Sequence, residues 1–260
     1  MELSCYQSEK NIKLLKKQIE LFDQIGYGNL NFSGIYKWSA ILYNLENTFP
    51  PGTKYLKILD IGGGLGPLDQ ILTKYGDVYS IDLKNERETW FPTEENYFRK
   101  LYKERFYSES KGFFFNKEKL NRICCNFWEI PNLFEKSSFD LVVDGCSMIH
   151  FSNYGKNNDT FDNIFKCGKI IHQLLKYDGV FITSSDVANP SLYESRDMIF
   201  AFNFDLALLA SGFTRKTPFI EDLKKNWSNF DYNKYIDFPS KSSSKMLTNG
   251  SPAELCSLLS

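Results

Sequence analysis

The 260-residue sequence contains little of what marks several common classes of protein. Its 31 basic and 32 acidic residues nearly cancel, which argues against a basic nucleic-acid-binding protein and against an acidic disordered chain. None of its 6 cysteines forms a C-x-x-C motif, so we predict neither a disulfide framework nor a cysteine-bound zinc site, and we assign no metal-binding residues. No apolar run is long enough to cross a bilayer and residues 1–10 carry no secretory signal, so we expect a cytoplasmic protein with no membrane association.

The composition that remains is that of a folded chain. Hydrophobic residues make up 42% and aromatic residues 16% of the sequence, which is enough to bury a core. We divide the chain into an N-terminal helical segment (1–52), a ligand-binding core (53–225) and a C-terminal extension (226–260) that ends in a possible short helix. The core contains an aromatic-rich insertion at 85–121, which is either a helix with a satellite core or a lid beside the site.

Within the core, short runs that are apolar throughout alternate with segments of helical periodicity. Such runs are typical of strands that are covered on both faces, and their alternation with helices predicts a parallel, doubly wound α/β sheet. The N-terminal segment predicts two helices, at 9–25 and 34–47, and the core predicts a further helix at 161–175. The predicted strands are 57–61, 78–82, 122–127, 139–144 and 180–183.

A glycine-rich loop follows the first predicted strand and gives the most informative motif of the sequence, D-I-G-G-G-L-G at 60–66. Ligands of open parallel sheets bind at the carboxyl ends of the strands, where glycines allow a close approach of the main chain. Asp82 ends the next predicted strand, where a carboxylate can accept hydrogen bonds from both hydroxyls of a ribose. Pro67 and Asp69 occupy the third position of the two possible G-x-G-x-x-G registers, so a dinucleotide is disfavoured.

The segment 58–66 resembles motif I of the class I S-adenosylmethionine (SAM)-dependent methyltransferases, and Asp82 matches the acidic residue after the second strand of that family. Segments 139–151, 174–186 and 208–213 resemble later motifs of the same family. The resemblance implies a Rossmann-like, seven-stranded, mostly parallel sheet, with SAM as methyl donor and S-adenosylhomocysteine (SAH) as product. The cofactor-binding residues it implies are Asp60, Gly62, Gly64, Gly66, Asp82, Asn126 and Phe127.

The predicted catalytic residues are His150 and Asp144, which follow and end the fourth predicted strand. An imidazole that titrates near neutral pH is suited to remove the proton of an acceptor hydroxyl, and Asp144 can orient it. Two alternatives stay open: His150 as a loop residue that bonds only to the backbone, and Asp144 as a metal ligand. His172 lies in the middle of a predicted helix and Asn126 in a loop, where either can serve structure alone.

The functional hypothesis is methyl transfer to a hydroxyl of a small molecule. The segment 61–66 is similar to the loop of bacterial sugar O-methyltransferases, which suggests a sugar or nucleotide-linked sugar of a surface polysaccharide as acceptor. The sequence shows no basic patch for a nucleic-acid substrate. The alternatives are an N- or carboxyl-methyltransferase of another metabolite and a non-catalytic SAM-binding protein.

Overall fold

The computed structural model describes residues 32–50, 52, 54–63, 68–83, 116–145, 147–148, 151, 160–188, 199–214 and 253–259. The predicted helix at 9–25 lies outside these residues, as do positions 85–115 of the aromatic insertion.

Helices and strands alternate along the core, as the apolar runs predict. The bounds agree with the predictions to within a few residues, except that β5 is much longer than predicted. The elements are α1 Phe32–Thr48, β1 Leu56–Ile61, α2 Leu68–Leu72, β2 Gly76–Asp82, a 3₁₀ turn Lys117–Lys119, β3 Leu120–Cys124, a 3₁₀ turn Phe127–Glu129, α3 Ile130–Leu133, β4 Phe139–Gly145, α4 Thr160–Leu174, β5 Leu175–Ala188, β6 Ile199–Phe200, α5 Ala201–Ala210 and β7 Ala253–Leu259.

The described strands form one sheet in the order β3-β2-β1-β4-β5-β6, with β7 paired to β5. Pairs along this order are parallel, and β7 runs antiparallel to β5. The order reverses between β1 and β4, which is the position where open α/β sheets bind their ligands. The predicted parallel α/β architecture is therefore confirmed.

Helices cover both faces of this sheet. Ile164, Cys167 and Ile171 of α4 belong to one buried apolar cluster with Leu59 of β1 and Val142 of β4. On β4 a Cβ added at Gly145 would point toward Trp38 of α1 instead, and residues three apart on a strand project to opposite faces. The glycine loop therefore emerges from the centre of the sheet, where β1 and β4 are buried on both faces, as their uniformly apolar runs indicate.

Two predictions of local structure are wrong. The possible short helix at the end of the chain is strand β7, whose backbone pairs with β5 from Ala253 opposite Val187 to Leu259 opposite Phe181. The sequence Asp178-Gly179, between the helix predicted at 161–175 and the strand predicted at 180–183, also predicts a turn, but these two residues lie within β5, where pairing with β4 skips from Leu175 to Val180. Both differences come from long-range pairing, which supplies backbone hydrogen bonds that local sequence does not encode.

The end of the sheet opposite the glycine loop is held by a buried aspartate. The Asp140 carboxylate lies 2.8 Å from Nζ of Lys54 and 2.9 Å from Nζ of Lys176, and it accepts a 2.9 Å hydrogen bond from the Lys57 amide. Burial raises the pKa of Asp140, but the bonds from Lys54, Lys57 and Lys176 outweigh it, so the pKa lies below its ordinary value of 3.8. The ionised carboxylate thus ties together the starts of β1, β4 and β5.

We expect Asp140 to make the stability of the protein fall in acid. A carboxyl group whose pKa is lowered by folding stabilises the fold fully above its unfolded-state pKa, and this contribution disappears as the pH falls through the folded-state value. Urea unfolding between pH 6 and pH 3, at roughly half-unit steps, should show a smaller decline for Asp140→Asn than for the wild type. Asp178→Asn is the control, because this exposed residue pairs with the same Lys54 at 3.6 Å. Equal declines in the wild type and Asp140→Asn would contradict the assignment.

Candidate functional site

The turn after β1 brings the main chain across the end of β2. Gly62 has a φ of 64°, which is the left-handed region that glycine adopts without strain. The Gly63 amide then donates a 3.1 Å hydrogen bond to the carbonyl of Ile81. Since Ile81 immediately precedes Asp82, this bond places the loop next to the predicted ribose-binding carboxylate.

Glycine is required at both positions by the packing of the chain itself. A Cβ at Gly62 would overlap the side chain of Ser147, whose hydroxyl lies 3.1 Å from the Gly62 carbonyl. A Cβ at Gly63 would overlap the Ser80 hydroxyl and lie 2.7 Å from Oδ2 of Asp60. The predicted role of Gly62 in approaching the cofactor stays a prediction, and Gly64 and Gly66 lie outside the described residues.

Asp60 lies beneath this turn. Its side chain is buried, and its Oδ2 accepts a 2.8 Å hydrogen bond from the hydroxyl of Ser80, its register partner on β2. The carboxylate therefore lies below the glycine turn, bonded to the neighbouring strand. The predicted role of Asp60 in cofactor binding stays a prediction.

Asp82 ends β2 at the same edge of the sheet. Its side chain is partly exposed, and its carbonyl accepts a 3.0 Å hydrogen bond from the amide of Cys125, which continues from β3. The end of β2 at Asp82 is thus flanked by the glycine turn on one side and by the chain after β3 on the other. This is where the sequence predicts the ribose hydroxyls.

Asn126 and Phe127 follow β3 and have defined structural roles. The Asn126 side chain accepts a 3.2 Å hydrogen bond from the Trp128 amide, and the Glu129 carboxylate accepts a 3.2 Å bond from the Asn126 amide, which completes a capping box. Phe127 is buried and stacks on Phe151 at 4.7 Å between ring centroids. The structural alternative for Asn126 is therefore realised, and a contact of either residue with adenine stays a prediction.

Asp144 ends β4 and is completely buried. Its Oδ1 accepts hydrogen bonds from the amides of Ser147 at 2.7 Å and Met148 at 3.3 Å, and its Oδ2 accepts one from the Thr183 hydroxyl at 2.9 Å. The carboxylate thereby holds the turn after β4 against β5. This is a positioning role, and the predicted catalytic role of Asp144 stays untested.

Cys167 of α4 lies under this turn. Burial, followed by the negative charge of Asp144, raises the pKa of the Cys167 thiol far above its ordinary value. The group is therefore a neutral core side chain and not a nucleophile.

Of the two histidines, His172 lies among the described residues and His150 does not. His150 lies outside the described residues, between Met148 and Phe151 of the chain after β4. His172 is exposed on α4, and its ring packs edge-on against Phe213 at 5.3 Å between centroids. His172 thus packs on a neighbouring aromatic ring of the fold, in agreement with its position in the middle of a predicted helix.

The sequence analysis does not predict three hydroxyl residues that belong to the site, Ser80, Ser147 and Thr183. Each bonds to a residue of the glycine loop or to a strand-end aspartate. The available signal is weak: Ser80 and Thr183 are small polar residues inside otherwise apolar strands, which is unusual for a strand covered on both faces. The bonds themselves depend on partners that are distant in sequence.

Two features are absent from the part of the chain that the structure describes. None of the helices there has the length and apolar character needed to span a membrane. The same residues include no group of three or more His, Cys, Asp or Glu side chains placed to hold a metal ion.

Comparison of the chain with models of known protein families and with curated proteins gives no match. Solved structures do match over most of the chain. A candidate sarcosine dimethylglycine methyltransferase from Galdieria sulphuraria aligns with a TM-score of 0.54 at 14% identity, over 94% of this chain and 97% of that one. The 1,6-didemethyltoxoflavin-N1-methyltransferase of Burkholderia thailandensis, solved with SAH, aligns with a TM-score of 0.51 at 16% identity, over 96% and 88%.

The [4+2]-cyclase SpnF aligns as well, with a TM-score of 0.51 at 11% identity, over 85% of this chain and 80% of that one. These likenesses show that the chain has the α/β fold of SAM-dependent methyltransferases. The resemblance read from the sequence is thus confirmed for the fold. Because a cyclase shares this fold, the reaction has to be argued from the site.

Proposed function

We propose that the protein is a SAM-dependent methyltransferase that acts on a small molecule. The observation that carries the proposal is the turn at Gly62 and Gly63, which crosses the end of β2 beside Asp82, a partly exposed acidic residue. A main-chain turn next to a carboxylate at a strand end suits a nucleoside whose ribose presents two adjacent hydroxyls. When bound, SAM supplies the methyl group on a positively charged sulfur.

The charges of the site fit such a cation. The buried carboxylates of Asp60 and Asp144 and the carboxylate of Asp82 all lie at the carboxyl ends of neighbouring strands. A diphosphate placed here would be repelled by these groups, whereas a sulfonium and an ammonium would be attracted. The site therefore favours SAM over a dinucleotide, in agreement with the disfavoured G-x-G-x-x-G registers.

For the acceptor, we propose a hydroxyl of a sugar or nucleotide-linked sugar of a bacterial surface polysaccharide. The support is the similarity of segment 61–66 to the loop of sugar O-methyltransferases. Transfer to nitrogen is the second candidate, and it is favoured by the likeness to the N1-methyltransferase of Burkholderia thailandensis. Incubation with SAM and a panel of nucleotide sugars, sugars and amines separates the two, because mass spectrometry detects which acceptor gains one methyl group.

We expect Asp82→Ala to weaken the binding of SAH by about 1–3 kcal/mol, because charge-assisted hydrogen bonds to the ribose are lost. Isothermal titration calorimetry measures this directly and requires no knowledge of the acceptor. Asp77→Asn is a matched control, since Asp77 lies on the same strand at the opposite end and accepts a 2.6 Å hydrogen bond from the Tyr55 hydroxyl.

The control variant should bind SAH as the wild type does. Unchanged SAH affinity in Asp82→Ala would refute the ribose role of Asp82. A thermal-shift comparison of the wild type with SAM, SAH, NAD and NADP tests the cofactor itself, since a ligand that binds only the folded state raises the melting temperature. Stabilisation by NAD or NADP alone would overturn the proposed function.

A further inference from the structure

We propose that the ion pair between Asp69 and Arg122 is a positioning device that holds the glycine loop in its ligand-binding geometry. The inference rests on the proposed SAM site and adds a residue pair outside the predicted set. Arg122 lies on β3 and Asp69 in the first turn of α2, so the pair joins the helix after the loop to a strand two places away in the sheet.

Arg122 and Asp69 form a bidentate ion pair. Nε of Arg122 lies 2.8 Å from Oδ2 of Asp69, and Nη2 lies 3.3 Å from Oδ1. The Asp69 side chain is 0% exposed and that of Arg122 is 26% exposed. Two parallel bonds from a planar guanidinium fix the orientation of a carboxylate, which a lysine in the same place does not do.

The pair continues a polar row that runs across the sheet beneath the loop. Asp60 is in register with Ser80, and Ser80 is in register with Arg122, so the three side chains project from the same face. The row begins with the 2.8 Å bond between Ser80 and Asp60, on which Gly63 packs. It ends with Arg122 and Asp69.

The start of the glycine loop and the helix that follows the loop in the sequence are therefore both attached to this row of the sheet. Gly63 packs on Asp60 and Ser80, and α2 is attached to Arg122 through Asp69. Burying a charge pair is costly, and apolar side chains of similar volume stabilise a fold at least as well. What the pair contributes is a defined position for α2, the helix that follows the glycine loop in the sequence.

The test compares three variants. Arg122→Lys keeps the charge and loses the second bond, whereas Asp69→Leu/Arg122→Met removes both charges and leaves no buried charge alone. Lys176→Met is the control, because it removes one cation from the buried Asp140 at the opposite end of the sheet. For each variant we would measure the melting temperature, the dissociation constant of SAH, and amide hydrogen exchange of segment 62–72 without ligand.

We expect SAH to bind about 3- to 10-fold more weakly to Arg122→Lys and about 10- to 30-fold more weakly to the double variant. Exchange in segment 62–72 should become faster in both, while β1 and β4 keep their protection. Lys176→Met should lower the melting temperature and leave both SAH affinity and exchange of the loop unchanged.

The proposal is overturned if the folded double variant binds SAH as tightly as the wild type. It is also overturned if Lys176→Met weakens SAH binding as much as the double variant does. A wild type that does not bind SAH would refute the proposed function instead. In that case amide hydrogen exchange still tests the ion pair. An unchanged exchange rate of segment 62–72 in the double variant would refute its positioning role.

Discussion

Replacing Asp144 with alanine is expected to destabilise the protein by about 3–5 kcal/mol, since three donors, two of them in buried hydrogen bonds, lose a charged acceptor and each such loss costs roughly 1–3 kcal/mol. The donors are the amides of Ser147 and Met148 and the hydroxyl of Thr183. Water cannot replace the carboxylate easily, because Asp144 is completely buried. Urea unfolding measures the change in the free energy of unfolding.

Asp144→Asn is the matched variant. Its amide oxygen can still accept from the two backbone amides, and its NH₂ can donate to the Thr183 hydroxyl, so we expect a loss of only about 1–2 kcal/mol. An Asp144→Ala protein whose stability lies within about 0.5 kcal/mol of the wild type would contradict the positioning role.

The asparagine variant also separates the two roles considered for Asp144. If the carboxylate only holds the turn, the folded variant keeps SAH binding and most of its methyl-transfer rate. If it orients or assists the base, SAH still binds but the rate falls steeply. The two roles can be separated because asparagine can keep the hydrogen bonds of the turn but lacks the negative charge that would assist the base.

Replacing His150 with alanine is expected to lower turnover by about 10²- to 10⁴-fold if this residue removes the proton of the acceptor hydroxyl. SAH affinity should change little, since the imidazole is assigned to the acceptor and not to the cofactor. The measurement is the initial rate of methyl transfer to the acceptor found with the mass-spectrometric panel.

His172→Ala is the control, because the only other histidine of the sequence is exposed and packs on Phe213. The wild-type rate should rise with pH as the base loses its proton, and this rise should be absent in His150→Ala. A near-normal rate in that variant would remove His150 from the role of base and would favour an acceptor that needs none.

The architecture follows from the sequence because periodicity is a local property. Five apolar runs of strand length, separated by helical segments, predict a parallel sheet without any knowledge of contacts. The position of the ligand site follows as well, since the loop at 60–66 leaves the carboxyl end of the first strand and Asp82 ends the second.

What individual side chains do was decided by tertiary structure. Asp144 bonds to Thr183, 39 residues away, and Arg122 bonds to Asp69, 53 residues away. The last strand of the sheet pairs with β5 across more than 60 positions, so its short apolar sequence alone is equally compatible with a helix. The periodicity of the sequence predicts which face of a helix or strand is apolar. The hydrogen-bond partner of a buried polar group depends instead on which residue the folded chain brings within about 3 Å of it.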